Sequence, residues 1–280
     1  MRRLVQGRHI GIHRSPYRGS AAEFAEHRPY LPGDNIRHID WRVFARTDRF
    51  YVKRHEEETN LTARVILDAS ASMNFEKKWD AAALLAGTIV YVLCAQGDAV
   101  GLTFAAADAA SGPRAIEPRR GRMHLHEMMD VLGSAAPSGA GSITEAVDQS
   151  IPRTTSGRAG LVVVISDFLS EDPDALNLAF RRIRKLGHDA FVLHIISRAE
   201  LDLSAVGPTL YLDPETGEKV ETMPEEVRAV YRRHLDGHLQ RVSGVCRSLD
   251  FDHLLVVAED GPGVAFGRFL ASRTQRAHLR

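Results

Sequence analysis

The chain is 280 residues long and carries 36 basic and 36 acidic residues, so its net charge is zero. That balance excludes a partner chosen by bulk charge, such as nucleic acid or an anionic membrane surface. The length suits one large α/β domain or a domain with an appendage.

The first sixty residues follow different rules from the rest. They hold twelve Arg or Lys against eight Asp or Glu. The stretch GIHRSPYRGSAAEFAEHRPYLPGDNIRHIDWRVFART is rich in Arg, Pro and Gly, with too few periodic apolar residues for a core of its own. The expected organisation is an N-terminal extension, 1–60, packed on a body of 61–280. Within the extension Pro32-Gly33-Asp34 reads as a turn, Ile39 to Ala45 as a short element of either type, and FYVKRHEEE as a strand. Asp34, Arg37, Asp40, Trp41, Arg42 and Arg46 read as a salt-bridged lock against the body, or as a partner surface. The basic front end lacks the aromatic interleaving of a nucleic-acid binder.

From Leu61 onward, short apolar runs alternate with helical patterns. ARVILD ends at Asp68 and a helix follows over Lys77 to Ala95. Asp98 to Ala105 and Arg114 to Pro118 are the next two strands, joined by a connection too short for a crossover, so they form an antiparallel edge. A helix with Leu125, Met128, Met129 and Leu132 on one face follows. SAAPSGAGS, Ser134 to Ser142, is a loop and Ile143 to Ile151 a short helix. LVVVISD, Leu161 to Asp167, has no alternation and is a strand buried on both faces. Pro173 to Leu186 is a helix stopped at Gly187, and Ala190 to Ile196 another buried strand. Leu210 to Thr222 reads as a hairpin turning at Glu215-Thr216-Gly217. A long helix over Glu225 to Leu249, a strand His253 to Ala258 and a helix Val264 to Ser272 complete the chain.

Alternating strands and helices predict a mostly parallel sheet with helices over it, because parallel strands need crossover connections. The run AAALLAGTIVYVLCA, Ala81 to Ala95, has fifteen uncharged residues. A spanning helix needs about 20, so a core helix is expected and no membrane span. Cys94 and Cys246 lie far apart in helical patterns, which suits reduced thiols and a cytoplasmic location.

Ligands in such sheets bind beyond the carboxyl ends of the strands where strand order reverses. Asp68 and Asp167, ninety-nine residues apart, both fall at that end of buried strands. Asp68, Ser70 and Ser72 in DASASM place one carboxylate and two hydroxyls at alternate positions between a strand and a helix. Asp and Ser oxygens are hard ligands, suited to Mg²⁺ or Mn²⁺ and poorly suited to zinc. Asp167 adds an oxygen, direct or through a metal-bound water, and Ser142 or Thr144 in GAGSITEAV adds a hydroxyl. Ser142 is also the natural N-cap of the next helix, with Glu145 completing a capping box. One carboxylate and two neutral hydroxyls leave the metal electron-poor, so it recruits a carboxylate from outside. His124-Leu125-His126-Glu127 places its histidines on different helix faces. His55-Glu56-Glu57-Glu58 lacks the second histidine of a zinc-protease helix, and neither string is taken as a site.

The strings Asp68-Ala69-Ser70-Ala71-Ser72-Met73, Gly141-Ser142-Ile143-Thr144 and Ser166-Asp167 resemble the metal-ion-dependent adhesion site of von Willebrand factor A domains. HRSPYRGSAAEFAEHRPYLPGDNIRHIDWRVFART followed by YVKRHEEETNLTARVILDASASM resembles, more narrowly, the bacterial family catalogued as domain of unknown function fifty-eight. The resemblance implies an A-type fold, a central parallel sheet with one antiparallel edge strand, and a protein often encoded beside a MoxR-type AAA+ ATPase. Adhesion sites usually offer Thr in the second loop, whereas this chain offers Ser142 and Thr144. The expected function is a non-enzymatic, cation-dependent adaptor that holds a partner's Asp or Glu. A phosphatase-like hydrolase with Asp68 as nucleophile is the competing reading, and it lacks the second acid because residue 70 is Ser.

Overall fold

The computed structural model describes residues 22–30, 39–57, 61–105, 115–151, 160–267 and 270–271. The chain divides into two compact units with the boundary between Asn60 and Leu61.

In the N-terminal unit β1 (Ala22–Pro29) pairs antiparallel with β2 (Tyr51–Glu57), in register from Ala22 opposite Glu57 to Pro29 opposite Tyr51. A register slip between Phe24 and Glu26 breaks the two-residue period, which is why sequence periodicity did not reveal β1. The undecided element at Ile39 to Ala45 is a helix, α1 (Trp41–Thr47). Asp40 caps it, its Oδ1 accepting from Arg42 N at 3.0 Å and Val43 N at 3.4 Å. Asp40 therefore has a capping role, typically worth about 1 kcal/mol. Phe44 stacks on Phe50 with ring centroids 4.4 Å apart, and Trp41 and Tyr30 meet Phe50 edge-on. The expected turn at Pro32-Gly33-Asp34, and Arg37 with it, lie outside the described residues.

The second unit is built on β3 (Thr62–Asp68), β4 (Ala99–Ala105), β5 (Ala115–Arg119), β6 (Leu161–Ser166), β7 (Asp189–Ile196) and β10 (Asp252–Val257). They form one sheet in the order β10-β7-β6-β3-β4-β5. All neighbours run parallel except β4 and β5, the antiparallel edge. This is the expected sheet, with a separate hairpin of β8 (Thr209–Leu212) and β9 (Lys219–Thr222) between β7 and β10 in the chain.

Strand alternation sorts the core into two layers. Val65, Leu67, Leu102, Phe104, Val163, Ile165 and Leu193 lie on one face, under α2 (Lys78–Ala95) and α3 (Arg122–Ser134). Ile66, Val162, Val164 and Val192 lie on the other, under α4 (Ile143–Ser150), α5 (Pro173–Lys185) and α7 (Pro224–Ser248). β6 is buried at every residue, the composition a two-faced parallel strand requires. In α2 the residues Ala81, Ala82, Leu85, Ala86, Ile89, Val90 and Leu93 are buried. Each large one removes about 1.5–3 kcal/mol worth of apolar surface from water. By length and composition α2 is apolar enough to cross a membrane, and this buried face supports a core role instead. His124 is a core residue, its Nε2 2.7 Å from Val100 O.

Candidate metal centre

Strand order reverses at β3, which has β4 on one side and β6, ninety-odd residues later in the chain, on the other. The carboxyl ends of β3 and β6 thus bring together Asp68 and the Ser166–Asp167 pair. Asp68 Oδ1 accepts from Ser70 N at 2.9 Å, which tightens the loop after β3. Its Oδ2 accepts from the hydroxyl of Ser166, which the sequence placed in the Ser166-Asp167 string without a role of its own. Ser70 Oγ and Ser72 Oγ are 2.9 Å apart. Asp68, Ser70, Ser72, Ser166 and Asp167 are all buried. The short 3₁₀ turn Ala71–Asn74 leads from the serines toward α2.

The second loop lies directly along the first. Ser138 N donates to Ala69 O and Ala71 N donates to Gly139 O, both at 2.9 Å. A Cβ on Gly141 would collide with the Ala105 carbonyl and stand 3.0 Å from Ser70 Cβ and 3.2 Å from Asp68 Oδ1. Only glycine lets this loop approach so closely. Ser142 follows it and caps α4, accepting from Glu145 N at 3.2 Å. Thr144 Oγ1 donates to Glu171 Oε2 at 2.9 Å, and Ile143 N donates to the other Glu171 oxygen. Glu171, missed in the sequence, thus satisfies the entrance of α4 and engages the Thr144 hydroxyl.

Beyond β6 the chain makes a tight turn. Phe168 is buried at φ 56°, left-handed for a bulky residue, with its N–H on Ser166 Oγ at 2.8 Å. Strain of this kind is retained where the surroundings over-determine it. The turn directs Asp167 Oδ1 to Leu169 N at 3.1 Å and its carbonyl to His238 Nε2 at 3.2 Å. Asp167 Oδ2 accepts from Lys78 Nζ at 2.7 Å, and the same ammonium donates to Glu200 Oε1 at 2.6 Å. Glu200 belongs to α6 (Arg198–Asp202) and closes a capping box with Ser197. Lys78 is fully buried, with the Phe75 ring centroid 5.8 Å from its Nζ. The sequence carried a signal for it: a lysine in the first turn of a helix opposes the helix dipole, so something else must hold it there.

Burial, and after it the negative charge of Asp167, push the Asp68 carboxyl up to about 7, against hydrogen bonds from Ser166 and Ser70 that pull it down. Burial alone pulls the Lys78 ammonium down, but Asp167 and then Glu200 outweigh it and raise its pKa above the usual lysine value. Burial likewise pushes His194 down to about 3, which leaves it a neutral core ring against Phe168. A buried carboxyl that burial and Asp167 hold back from ionising, ringed by neutral hydroxyls and a loop that only glycine brings close, is a donor set that fits a small hard divalent ion. Among the described residues no group of three or more His, Cys, Asp and Glu forms a metal cluster.

The family described as "Protein of unknown function DUF58" matches residues 26–241. The chain belongs to the DUF58 family. The chain is similar to an uncharacterized protein of Mycobacterium tuberculosis, 29% identical over 285 residues that cover 98% of this chain and 85% of that one. A protein of Mycobacterium bovis matches to the same extent. Among solved structures, the pilus adhesin SpaC of Lactobacillus rhamnosus GG superposes with a TM-score of 0.50 at 12% identity, covering 80% of this chain and 30% of SpaC. BatB of Bacteroides thetaiotaomicron gives 0.48 at 16% identity, covering 79% of this chain and all of that one. The fold of this DUF58 chain is von Willebrand factor A-like.

Proposed function

We propose that the protein is a non-enzymatic interaction module that captures an Asp or Glu of a partner protein through a bound Mg²⁺ or Mn²⁺. The observation that carries this reading is the buried Asp68 carboxyl with Ser70 and Ser72 beside it at the reversal point of the sheet. Asp68, Ser70 and Ser72 hold the ion from the first loop. Ser142 supplies the second-loop oxygen, with Thr144, already bound to Glu171, as its alternate. Asp167 adds its oxygen directly or through a bound water. When bound, the ion supplies an electron-poor coordination position for an incoming carboxylate. Three carboxylates, Asp68, Asp167 and Glu200, face one ammonium, Lys78. A divalent ion offsets that negative charge and keeps a coordination position open, which favours an acidic ligand.

The setting we assign is an adaptor for a MoxR-type AAA+ ATPase in maturation or remodelling of other proteins, an assignment that rests on the family resemblance. A cytoplasmic location fits the two free cysteines. A hydrolytic role for Asp68 is disfavoured, since residue 70 is Ser and supplies no second acid. Calorimetry with Mg²⁺ and Mn²⁺ on the protein and on Asp68→Ala tests the site. Binding lost in the variant is expected, and equal heats in both would overturn the reading. Capture of a partner from lysate should vanish with chelator. Turnover of phosphate esters at a rate controlled by Asp68 and Asp167 would replace the module with an enzyme.

A further inference from the structure

We propose that Lys78 is the resident counter-cation of this centre: it claims Asp167, keeps that carboxylate out of the inner coordination sphere, and leaves Asp68, Ser70 and Ser72 to hold the divalent ion. The inference rests on the metal reading above and deepens it.

A lysine is almost never fully buried unless paired, and Lys78 is 0% exposed. Its ammonium is committed to Asp167 at 2.7 Å and to Glu200 at 2.6 Å. The two candidate carboxylates are therefore unlike. Asp68 accepts from neutral donors, a backbone amide and a hydroxyl. Those bonds leave its charge unneutralised, and its oxygens retain lone pairs for a cation. Asp167 carries an ammonium on Oδ2 and the Leu169 amide on Oδ1. A divalent ion sharing Oδ2 would stand a few ångströms from a buried like charge, where the low local dielectric magnifies repulsion. A water between the ion and Asp167 removes that conflict. Glu200 completes the device, since it is 15% exposed and draws part of the ammonium's charge away from Asp167. Lys78 is thus a positioning residue that sets both the affinity and the inner ligand set.

The test is Mn²⁺ titration followed by electron spin resonance, and Mg²⁺ calorimetry, on the full chain and on Lys78→Met and Glu200→Gln. Lys78→Met frees Asp167 and should tighten cation binding by about tenfold or more, with one fewer bound water on Mn²⁺ in ¹⁷O-enriched water. Glu200→Gln concentrates the ammonium's charge at the centre and should weaken binding by about tenfold. A merely structural ion pair would not move the two variants in opposite directions. Unchanged or weaker binding in folded Lys78→Met, or unchanged or tighter binding in Glu200→Gln, overturns the role of Lys78 alone. If Lys78→Met does not fold by circular dichroism, Glu200→Gln decides by itself. A wild-type chain that binds neither ion overturns the metal reading and this inference together.

Discussion

Asp68 sets how the site responds to pH. An ordinary aspartate ionises near 3.8, and burial followed by the Asp167 charge brings this one to about 7. Its folded value lies above its unfolded one, so the protonated form is favoured in the cation-free fold. The associated stability is fully present below the unfolded value and declines as pH rises through about 7. A divalent ion competes with that proton. Thermal midpoints without cation should fall between about pH 5 and pH 8, and saturating Mg²⁺ should remove most of the fall. Calorimetric Mg²⁺ affinity should climb over the same range, and an affinity flat from about pH 6 to pH 8 would count against Asp68 as the ligand. Gly141→Ala forces the second loop off Ala105, Ser70 and Asp68. It should lower stability by roughly 1–3 kcal/mol and weaken cation binding together, measured by denaturation and calorimetry.

The decisive element is α2, which does two jobs with one helix. Its apolar face, with Leu85 and Ile89 each 1% exposed, fastens it to the sheet. Its first turn delivers Lys78 to Asp167 across a sequence separation of 89 residues. Leu85→Ala should cost about 2–5 kcal/mol through lost burial and the cavity left behind. Cation affinity in that variant should stay near wild type while it remains folded, because Leu85 touches the core and not the ligands. A parallel loss of affinity in folded protein would mean that α2 positions the site more loosely than its packing implies. The α5 helix ends as a helix should: Asp172 caps its start, and Arg182, Arg184 and Lys185 crowd its last turn, complementing the dipole.

At the scale of the molecule, the two compact units divide the tasks, with every candidate ligand in the unit after Asn60. A chain beginning at Leu61 should therefore bind Mg²⁺ with the affinity of the full chain, measured by calorimetry, and loss of binding in a folded truncation would assign the first sixty residues a part in the centre. The sequence by itself determined the parallel sheet and its antiparallel edge, because buried two-faced strands such as LVVVIS and short or long connections leave a local imprint. It also placed the oxygen-bearing Asp68, Ser70, Ser72 and Asp167 at or just beyond strand ends, since residue type and strand position are local properties. The bulged β1, the short α6, the role of Ser166 and the partners Glu171, Lys78 and Glu200 escaped it. Only the tertiary structure decided that Ser166 bonds Asp68 over a separation of 98 residues and that Lys78 reaches Glu200 over 122. The physical reason is that a buried charge is recognised by what faces it, and which groups face each other is set by strand order and helix packing.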